Sequence, residues 1–158
     1  MSELSHLGPD GRLRMVDVTD KPTTLRRAVA SARVCLGADV FERLSRGALA
    51  KGDALAAARI AGIQAAKRTA ELIPLCHGLA PEHVDVSIEL RPPAEALIRA
   101  EARVEAKTGV EMEALVAVSV AALTLYDMCK AVSKDITIGP VQLEEKTGGK
   151  SGEWKRPC

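Results

Sequence analysis

Charged side chains stand at both ends of an apolar stretch, and their types suit acid–base chemistry. Glu111 and Glu113 come before the stretch, Asp127 and Lys130 follow it, and residues 114–126 carry no charge. Asp127 and Lys130 are three residues apart and so share one face of a helix. A carboxylate beside an ammonium group can supply a base and an acid. The alternative is a helix cap at one end and a surface ion pair, worth under ~1 kcal/mol, at the other.

The separation of these charged clusters favours a site shared between subunits. The uncharged run is shorter than the about 20 residues that span a bilayer, so we expect a helix in the core or at a subunit contact. Glu113 and Asp127 are fourteen residues apart, which places them about 21 Å apart along a helix axis. One small substrate could not touch both side chains of one helix. A site that uses both therefore requires a second copy of the helix.

Two further segments carry candidate groups for binding or catalysis. Lys51 precedes a predicted helix whose N-cap is Asp53, where a lysine can help to hold an anion against exposed N–H groups. Cys76 and His77 lie in an apolar loop between two prolines, and histidine there can titrate near neutrality. The alternatives are a solvated lysine, a structural histidine and an inert cysteine. One Cys–His pair is not a zinc-binding spacing, so we predict no metal site.

The segment Gly149-Lys150-Ser151 matches the last three residues of a phosphate-binding P-loop motif, but the rest of that motif is missing. The first glycine of the motif would fall at position 144, which is a glutamate. We therefore expect residues 146–158 to form a flexible basic tail and residues 1–12 to form a flexible arm.

Composition excludes several classes of function. The formal net charge is +1, which predicts neither nucleic acid nor membrane as a partner. The chain has one Phe, one Tyr and one Trp, so it lacks aromatic platforms for single-stranded nucleic acid. The four cysteines show no CxxC spacing and the N-terminus shows no secretory signal. These features predict free thiols and a cytoplasmic location.

The order of predicted elements indicates the fold. Alternating apolar residues predict a strand at 28–36, a hairpin of strands at 84–90 and 98–104, and a last strand at 135–143. Helices are expected at 40–49, at 54–71 and through the apolar stretch. This βαββαβ order predicts one α+β domain over residues 1–158, a ferredoxin-like sandwich of an antiparallel sheet with helices on one face. Small-residue helices favour an oligomer.

Six blocks of sequence between about Met15 and Trp154 closely resemble the molybdenum cofactor biosynthesis protein C family, the cyclic pyranopterin monophosphate synthases. The blocks are Lys51-Gly-Asp, Ala58-Arg-Ile-Ala-Gly-Ile-Gln-Ala-Ala-Lys-Arg-Thr69, Leu72-Ile-Pro-Leu-Cys-His77, Lys107-Thr-Gly-Val-Glu-Met-Glu-Ala114, Tyr126-Asp-Met-Cys-Lys-Ala-Val132 and Lys146-Thr-Gly-Gly-Lys-Ser-Gly152. They follow in the family's order over nearly the whole chain.

The resemblance implies an activity and an assembly. The family's enzymes are lyases that convert (8S)-3′,8-cyclo-7,8-dihydroguanosine 5′-triphosphate to cyclic pyranopterin monophosphate and release pyrophosphate. The resemblance also implies a homohexamer, built as a trimer of dimers, with its sites at subunit interfaces. No cofactor is required for such a rearrangement, and Mg²⁺ could accompany the triphosphate.

The resemblance also assigns site residues. It implies catalytic roles for Asp127, Lys51 and Lys130. The substrate-binding positions that it implies are Leu75, Cys76, His77, Met112 and Glu113, to which we add Glu111, Lys67 and Lys146, the two lysines as further phosphate ligands.

Three other functions compete with this one. A nucleotide-binding regulatory oligomer would use the same lysines without turnover. A Schiff-base lyase would use Lys51 or Lys130 as a nucleophile. An RNA-binding ferredoxin-like domain is disfavoured by the missing aromatic residues. Without the resemblance, the residues indicate only an oligomeric α+β domain with an anion site.

Overall fold

The computed structural model describes Leu7 and residues 10–157 of the chain. Most of the expected arm over residues 1–12, and Cys158 of the expected tail, lie outside the described residues. Residues 14–18 form an extended strap without helix or strand. The Lys107 ammonium group donates a hydrogen bond to the Thr19 carbonyl at 2.6 Å, which ties the end of the strap to the body of the domain.

A five-stranded antiparallel sheet forms one layer of the domain. The strands are β1 Thr24–Cys35, β2 His83–Arg91, β3 Glu95–Ala106, β4 Thr137–Thr147 and β5 Trp154–Lys155. Their order in the sheet is β2-β3-β1-β4-β5, and every pairing is antiparallel. The first four strands have the ferredoxin-like topology, so the predicted fold class is confirmed.

Alternation along β1 separates the two faces of the sheet. Ala28, Ala30 and Ala32 are completely buried on the face that the helices cover, because side chains two residues apart point to the same side. Arg27 lies on the opposite face, where it binds Glu101 of β3. Small alanines on the covered face leave room for helices to lie close to the sheet.

The helices are α1 Ala38–Ser45, α2 Ala54–Ala66, α3 Thr69–Leu72 and α4 Glu111–Cys129. Helix α4 packs on β1 and β3, and α2 lies beside it on the same face of the sheet, in contact with α4 and β2. The two helices come very close at Gly62, where a Cβ atom would lie 2.8 Å from the Ala117 carbonyl oxygen. By length and composition α4 could cross a membrane, but half of its apolar window is buried inside the domain. It forms the centre of the core, as the sequence predicts.

The helix expected over residues 54–71 is divided into α2 and α3. Asp53 caps its start as predicted, accepting a hydrogen bond from the Ala56 N–H at 2.9 Å. At the division the backbone bonds tighten to a three-residue spacing, with the Arg68 N–H donating to the Ala65 carbonyl at 3.0 Å, and the Thr69 hydroxyl donates to the Ala66 carbonyl at 2.9 Å. No glycine or proline marks this break in the sequence.

The end of the chain differs from the expected tail, because its first part belongs to the sheet. Lys146 and Thr147 are the last residues of β4, and Lys146 pairs with Trp154 of β5. The backbone N–H of Arg156 donates to the Glu144 carbonyl at 2.8 Å. The Arg156 guanidinium lies 5.8 Å from the centre of the Trp154 ring, a cation–π arrangement. These contacts attach residues 154–156 to β4. The segment is polar and lacks the alternating apolar residues that would have predicted a strand.

Candidate active site

The C-terminal end of α4 carries a compact cluster of opposite charges. The ammonium group of Lys130 lies 2.6 Å from Oδ1 of Asp127, and that of Lys51 lies 3.3 Å from Oδ2. Lys51 also donates to the Asp127 backbone carbonyl at 2.8 Å. Lys51 reaches this position because it precedes α2, which packs against α4. The structure therefore brings all three predicted catalytic residues together on one chain.

The ion pairs in this cluster determine the protonation states of Asp127 and Lys130. Hydrogen bonds from Lys130 and then from Lys51 lower the pKa of Asp127, and the pKa of Lys130 is raised by Asp127. Asp127 is thus a carboxylate and Lys130 an ammonium ion at neutral pH. A raised pKa disfavours Lys130 as the nucleophile of a Schiff-base lyase, since an amine must lose its proton to attack a carbonyl.

A cleft of ≈ 540 Å³ opens at the N-terminal end of α4, between the N-terminal strap, the loop before β2 and the first turn of the helix. Four predicted substrate-binding residues, together with Glu111, contribute to its wall. The lining residues are Val16, Val18, Lys21, Ile73, Leu75, Cys76, His77, Thr108, Gly109, Glu111 and Met112. The cleft is apolar on the strap side and polar around the start of α4.

His77 is hydrogen-bonded to the N-terminal strap. Its Nε2 atom lies 2.8 Å from the carbonyl oxygen of Val16. Because a carbonyl only accepts hydrogen bonds, Nε2 carries a proton, and in the neutral ring Nδ1 is left as an acceptor. Burial raises the pKa of the adjacent Cys76 thiol, with the negative charges of Glu113 and Glu111 adding to the effect. Cys76 is therefore a protonated thiol at neutral pH rather than a nucleophile.

Glu113 is the most unusual acid in the structure. Its side chain is 1% exposed, and neither carboxyl oxygen has a hydrogen-bond partner. Burial, with a smaller contribution from the charge of Glu111, raises the pKa of Glu113 to about 7. Burying a polar group without a partner is costly, and such perturbed acids are concentrated at functional sites. Glu113 itself does not line the cleft, although its neighbour Met112 does.

The remaining predicted residues lie toward the same end of α4. Lys146 of β4 forms an ion pair with Glu111, with 2.7 Å between Nζ and Oε1. Lys67 follows the last residue of α2, is exposed, and makes no ion pair within the described part of the chain. Because α2 begins beside the Asp127 cluster and packs along α4, its last turn points toward the Glu113 end.

The model of the MoaC family matches residues 15–149. The chain belongs to the MoaC family. A relative from Chloroflexus aurantiacus, named cyclic pyranopterin monophosphate synthase, is 55% identical over 157 residues, covering 99% of this chain and 96% of the relative. A relative of that name from Thermomicrobium roseum is 55% identical over 158 residues, covering 99% and 95%.

A plant relative extends the comparison. The mitochondrial cyclic pyranopterin monophosphate synthase of Arabidopsis thaliana is 54% identical over 157 residues, covering 99% of this chain and 58% of the relative. The MoaC match includes every predicted site residue from Lys51 to Lys146 and both ends of α4.

The predicted residues of this MoaC chain form two groups rather than one. Asp127, Lys51 and Lys130 lie at the C-terminal end of α4, whereas the substrate-binding residues and Lys146 lie at or toward its N-terminal end. Both ends belong to one unbroken helix, for which the fourteen residues from Glu113 to Asp127 correspond to about 21 Å along the axis. Within one chain, the two groups of residues therefore do not form a single site.

Sequence reasoning missed a second, larger cleft beside the first. It is lined by basic residues that include Lys21, Arg26, Lys107 and Lys150. A signal was present, because a Lys-Thr-Gly triplet occurs both at 107–109 and at 146–148. Lysines next to Thr-Gly pairs can line an anion site, but only the fold brings these two triplets to one cleft.

Proposed function

We propose that this chain is a cyclic pyranopterin monophosphate synthase that acts in molybdenum cofactor biosynthesis. The observation that carries the proposal is similarity over nearly the full length to synthases of that name, at up to 55% identity. As a lyase, the protein converts (8S)-3′,8-cyclo-7,8-dihydroguanosine 5′-triphosphate to cyclic pyranopterin monophosphate and pyrophosphate.

The cluster around Asp127 suits the phosphate-closing step of this reaction. A sugar hydroxyl attacks the α-phosphorus, the bond to the β-phosphate breaks, and pyrophosphate leaves. Asp127 accepts the hydroxyl proton, while Lys51 and Lys130 balance negative charge on the phosphate oxygens. Substrate phosphates compete with Asp127 for both ammonium groups, which raises the pKa of Asp127 toward its ordinary value and makes it a better base. A positioned acid or base is worth roughly 10²–10⁴-fold in rate.

The N-terminal end of α4 suits the recognition of the ring system. A carboxyl group such as that of Glu113 can pair with the N1–H and exocyclic amine of a guanine-derived ring. In the single chain this carboxyl is sealed from solvent, so ring binding requires its side chain or the loop over it to move. Leu75, His77 and Met112 supply the surrounding wall.

A two-fold pair of α4 helices would unite the two groups of residues. The midpoint between Glu113 and Asp127 is Val120, so antiparallel packing about that point places the Asp127 end of one helix beside the Glu113 end of the other. Leu123, which lies on the outer side of α4, is 59% exposed in the single chain. We propose that such pairs assemble into a homohexamer, a trimer of dimers with its sites at subunit interfaces.

We also propose which cofactors, partners and cellular location this activity has. Ring opening, ring closure and phosphate transfer leave the oxidation level unchanged, so the proposed reaction requires no redox cofactor. Mg²⁺ could bind the substrate's triphosphate as a counterion. The partners are the nucleotide-derived substrate and further copies of this chain, with no nucleic acid and no membrane, in the cytoplasm.

The test measures pyrophosphate release from the cyclised substrate after subunit exchange between inactive variants. Mixing Asp127→Asn with Glu113→Gln should restore about one quarter of the parent activity, because that share of randomly formed shared sites has two intact halves. The matched control mixes Asp127→Asn with Lys51→Ala. These residues lie in one cluster on one chain, so no restoration is expected.

Two other results would contradict parts of this proposal. No restoration in the first mixture, despite exchange proven by mass spectrometry, would contradict the shared site. If the unmodified protein bound guanosine triphosphate without releasing pyrophosphate from the cyclised substrate, the nucleotide-binding regulator would replace the synthase.

A further inference from the structure

Lys51 lies in a loop, residues 46–52, that joins α1 to α2 and is held to the domain at few points. Among these residues, all of which the structure describes, only Leu49 is not exposed to solvent. Leu49 is half-buried and packs against the hydrophobic core. A pocket of ≈ 410 Å³ lies behind the loop and is lined by Leu44 of α1 and Leu55 of α2. Close packing therefore does not fix the loop on that side.

A tight turn reverses the chain at Lys51. The Gly52 N–H donates to the Leu49 carbonyl at 3.1 Å, so Ala50 and Lys51 are the two central residues of the turn. Glycine is favoured at the last position of the commonest β-turns. Gly52 has a φ of 94°, a region that other residues rarely adopt. Its conformation lets the chain enter α2 while the Lys51 side chain reaches across to α4.

Asp53 fixes the chain on the other side of Gly52. Its Oδ1 atom accepts a hydrogen bond from the Ala56 N–H at 2.9 Å, and its carbonyl accepts one from the Ala57 N–H at 3.1 Å. These bonds join Asp53 to the first turn of α2, which packs against α4. Because Lys51 is only two residues before this cap, loss of the cap moves the backbone from which the lysine side chain extends.

The Lys51 side chain ends on Asp127. Its ammonium group donates to the Asp127 carbonyl at 2.8 Å and lies 3.3 Å from Oδ2, while 42% of the side chain is exposed. Such an exposed ion pair contributes little free energy, so it does not hold the loop by itself. When substrate phosphates compete for the ammonium group, the turn and the cap keep Lys51 within reach of the site.

We propose that Gly52 and Asp53 are positioning residues, which hold Lys51 against Asp127 through the conformation of the backbone. Neither side chain needs to touch the substrate. Lysine has a flexible four-carbon stem, so a fixed backbone restricts the positions that its ammonium group can take. The effect on rate rests on the proposed function, in which Lys51 balances charge on the phosphate. A misplacement of about 1 Å can lower the rate about a hundredfold.

The first experiment measures pyrophosphate release by variants of the assembled full-length protein. Asp53→Ala removes the cap, and Gly52→Ala puts a side chain at an unfavourable φ. Each should lower kcat about tenfold or more with a smaller change in KM, because Lys51 acts on charge that develops during the reaction. Asp53→Asn keeps an acceptor for the Ala56 N–H and should recover most of the activity, since asparagine and aspartate cap helices about equally well.

Matched controls come from the start of α1, at the far end of that helix from the Lys51 loop. Gly37 precedes α1, has a φ of 75° and, like Gly52, has open space where a Cβ atom would lie. Gly37→Ala therefore introduces a similar backbone strain. Asp39→Ala removes an acid from the first turn of α1. Both controls should leave kcat unchanged, and urea denaturation shows how much stability each variant loses.

The second experiment follows Lys51 without turnover. Brief treatment with acetic anhydride acylates amines, and mass spectrometry of peptides gives the rate at Lys51 relative to Lys155, which pairs with Glu153. An ion pair slows this reaction because the attacking amine must lose its proton. Asp53→Ala and Gly52→Ala should raise the relative rate about two- to fivefold, the worth of one exposed ion pair. Asp53→Asn and both controls should not change it.

Three results would overturn the proposal. These are unchanged acylation of Lys51 in Gly52→Ala and Asp53→Ala, a kcat equal to that of the parent in both, or equal losses of kcat in Gly37→Ala and Asp39→Ala. An Asp53→Asn protein as impaired as Asp53→Ala would reject the cap as the cause. Should Gly52→Ala fail to fold, the Asp53 variants decide. A parent that releases no pyrophosphate would reject the synthase, whereas acylation would still test the positioning of Lys51.

Discussion

At the scale of single residues, the buried carboxyl of Glu113 makes the stability of the protein depend on pH. The pKa of Glu113 in the folded state is about 7, above the ordinary value of 4.5, because burial disfavours the charged form. As pH rises from 4.5 through 7, the unfolded chain releases this proton more readily than the folded chain, so the free energy of unfolding falls. The loss is complete above pH 7 and is on the order of 3 kcal/mol.

Glu113→Gln should therefore be more stable than the parent at pH 8 and nearly equal to it at pH 4, because glutamine does not ionise. Urea denaturation of both proteins at the two pH values measures the difference. Glu111→Gln is the matched control. It removes the ion pair with Lys146, so it should gain no stability at pH 8. Equal stability of the parent and Glu113→Gln at pH 8 would mean that Glu113 acquires a partner in the assembled protein.

The sequence identified residues that the fold brings together, but it did not reveal their surroundings. The resemblance assigns Asp127, Lys51 and Lys130 to one site, and the structure brings Lys51 to Asp127 across 76 positions of sequence. Burial of Glu113 could not be predicted, since a glutamate in the first turn of a helix is usually stabilised by the helix dipole in contact with water. Here the side chain is 1% exposed, which the order of residues within the helix does not reveal.

At the scale of helices and strands, the contact between α2 and α4 depends on one missing side chain. A Cβ atom at Gly62 would lie 2.8 Å from the Ala117 carbonyl oxygen and 3.2 Å from Cβ of Ala121. Gly62→Ala removes a helix-weakening glycine, which alone would stabilise by about 1 kcal/mol. The clash with backbone should outweigh this gain, because overpacking costs about 1–3 kcal/mol.

We therefore expect Gly62→Ala to lower the denaturant midpoint and, because α2 carries Lys51 toward Asp127, to lower the rate of pyrophosphate release as well. Ala56→Gly, at an exposed position of the same helix, is the control that isolates the helix-propensity effect. A rise in the midpoint for Gly62→Ala would show that the two helices can separate without cost.

Elements with a clear period were predictable, whereas the break in the helix expected over residues 54–71 was not. The hairpin of β2 and β3 follows directly from alternating apolar residues. Pro140 was expected at an edge or a bulge, and Gly139 and Pro140 do stand together opposite Arg33 where the pairing of β1 with β4 shifts. The break after α2, where the Arg68 N–H donates to the Ala65 carbonyl only three residues back, has no periodic pattern to reveal it.

At the scale of the whole molecule, the outer side of α4 should decide assembly. Leu123 is 59% exposed in the single chain, and a substitution on a free surface changes stability by about 0.5 kcal/mol or less. If α4 pairs with a second copy, Leu123→Glu buries two carboxylates at the two-fold contact and should reduce both molecular mass and pyrophosphate release. Light scattering after size-exclusion chromatography measures the mass.

Leu72→Glu is the matched control, since Leu72 is equally exposed but lies at the end of α3. Retention of the parent mass and activity by Leu123→Glu would exclude the α4 contact as the one that completes the site.

The net charge of this molecule does not indicate its local charge, because acidic and basic residues are distributed unevenly over the fold. Twenty-two basic and 21 acidic residues nearly cancel, so the total predicts no anionic partner. The fold nevertheless pairs acids with bases on the face of the sheet opposite the helices. It leaves Lys21, Arg26, Lys107 and Lys150, which line one cleft, without an ion pair among the described residues. Only the pairing of each charge, which depends on strand register and loop conformation, distinguishes a basic cleft from a neutral surface.

The scarcity of aromatic residues gives this protein two native optical probes at separate places. The single tryptophan, Trp154, pairs with Lys146 beside the basic cleft and is 38% exposed. The single tyrosine, Tyr126, precedes Asp127 at the other end of α4. Emission from tryptophan therefore reports events near the basic cleft, and the tyrosine signal reports those near Asp127. Events at the two ends of the helix can thus be followed in time without any attached label.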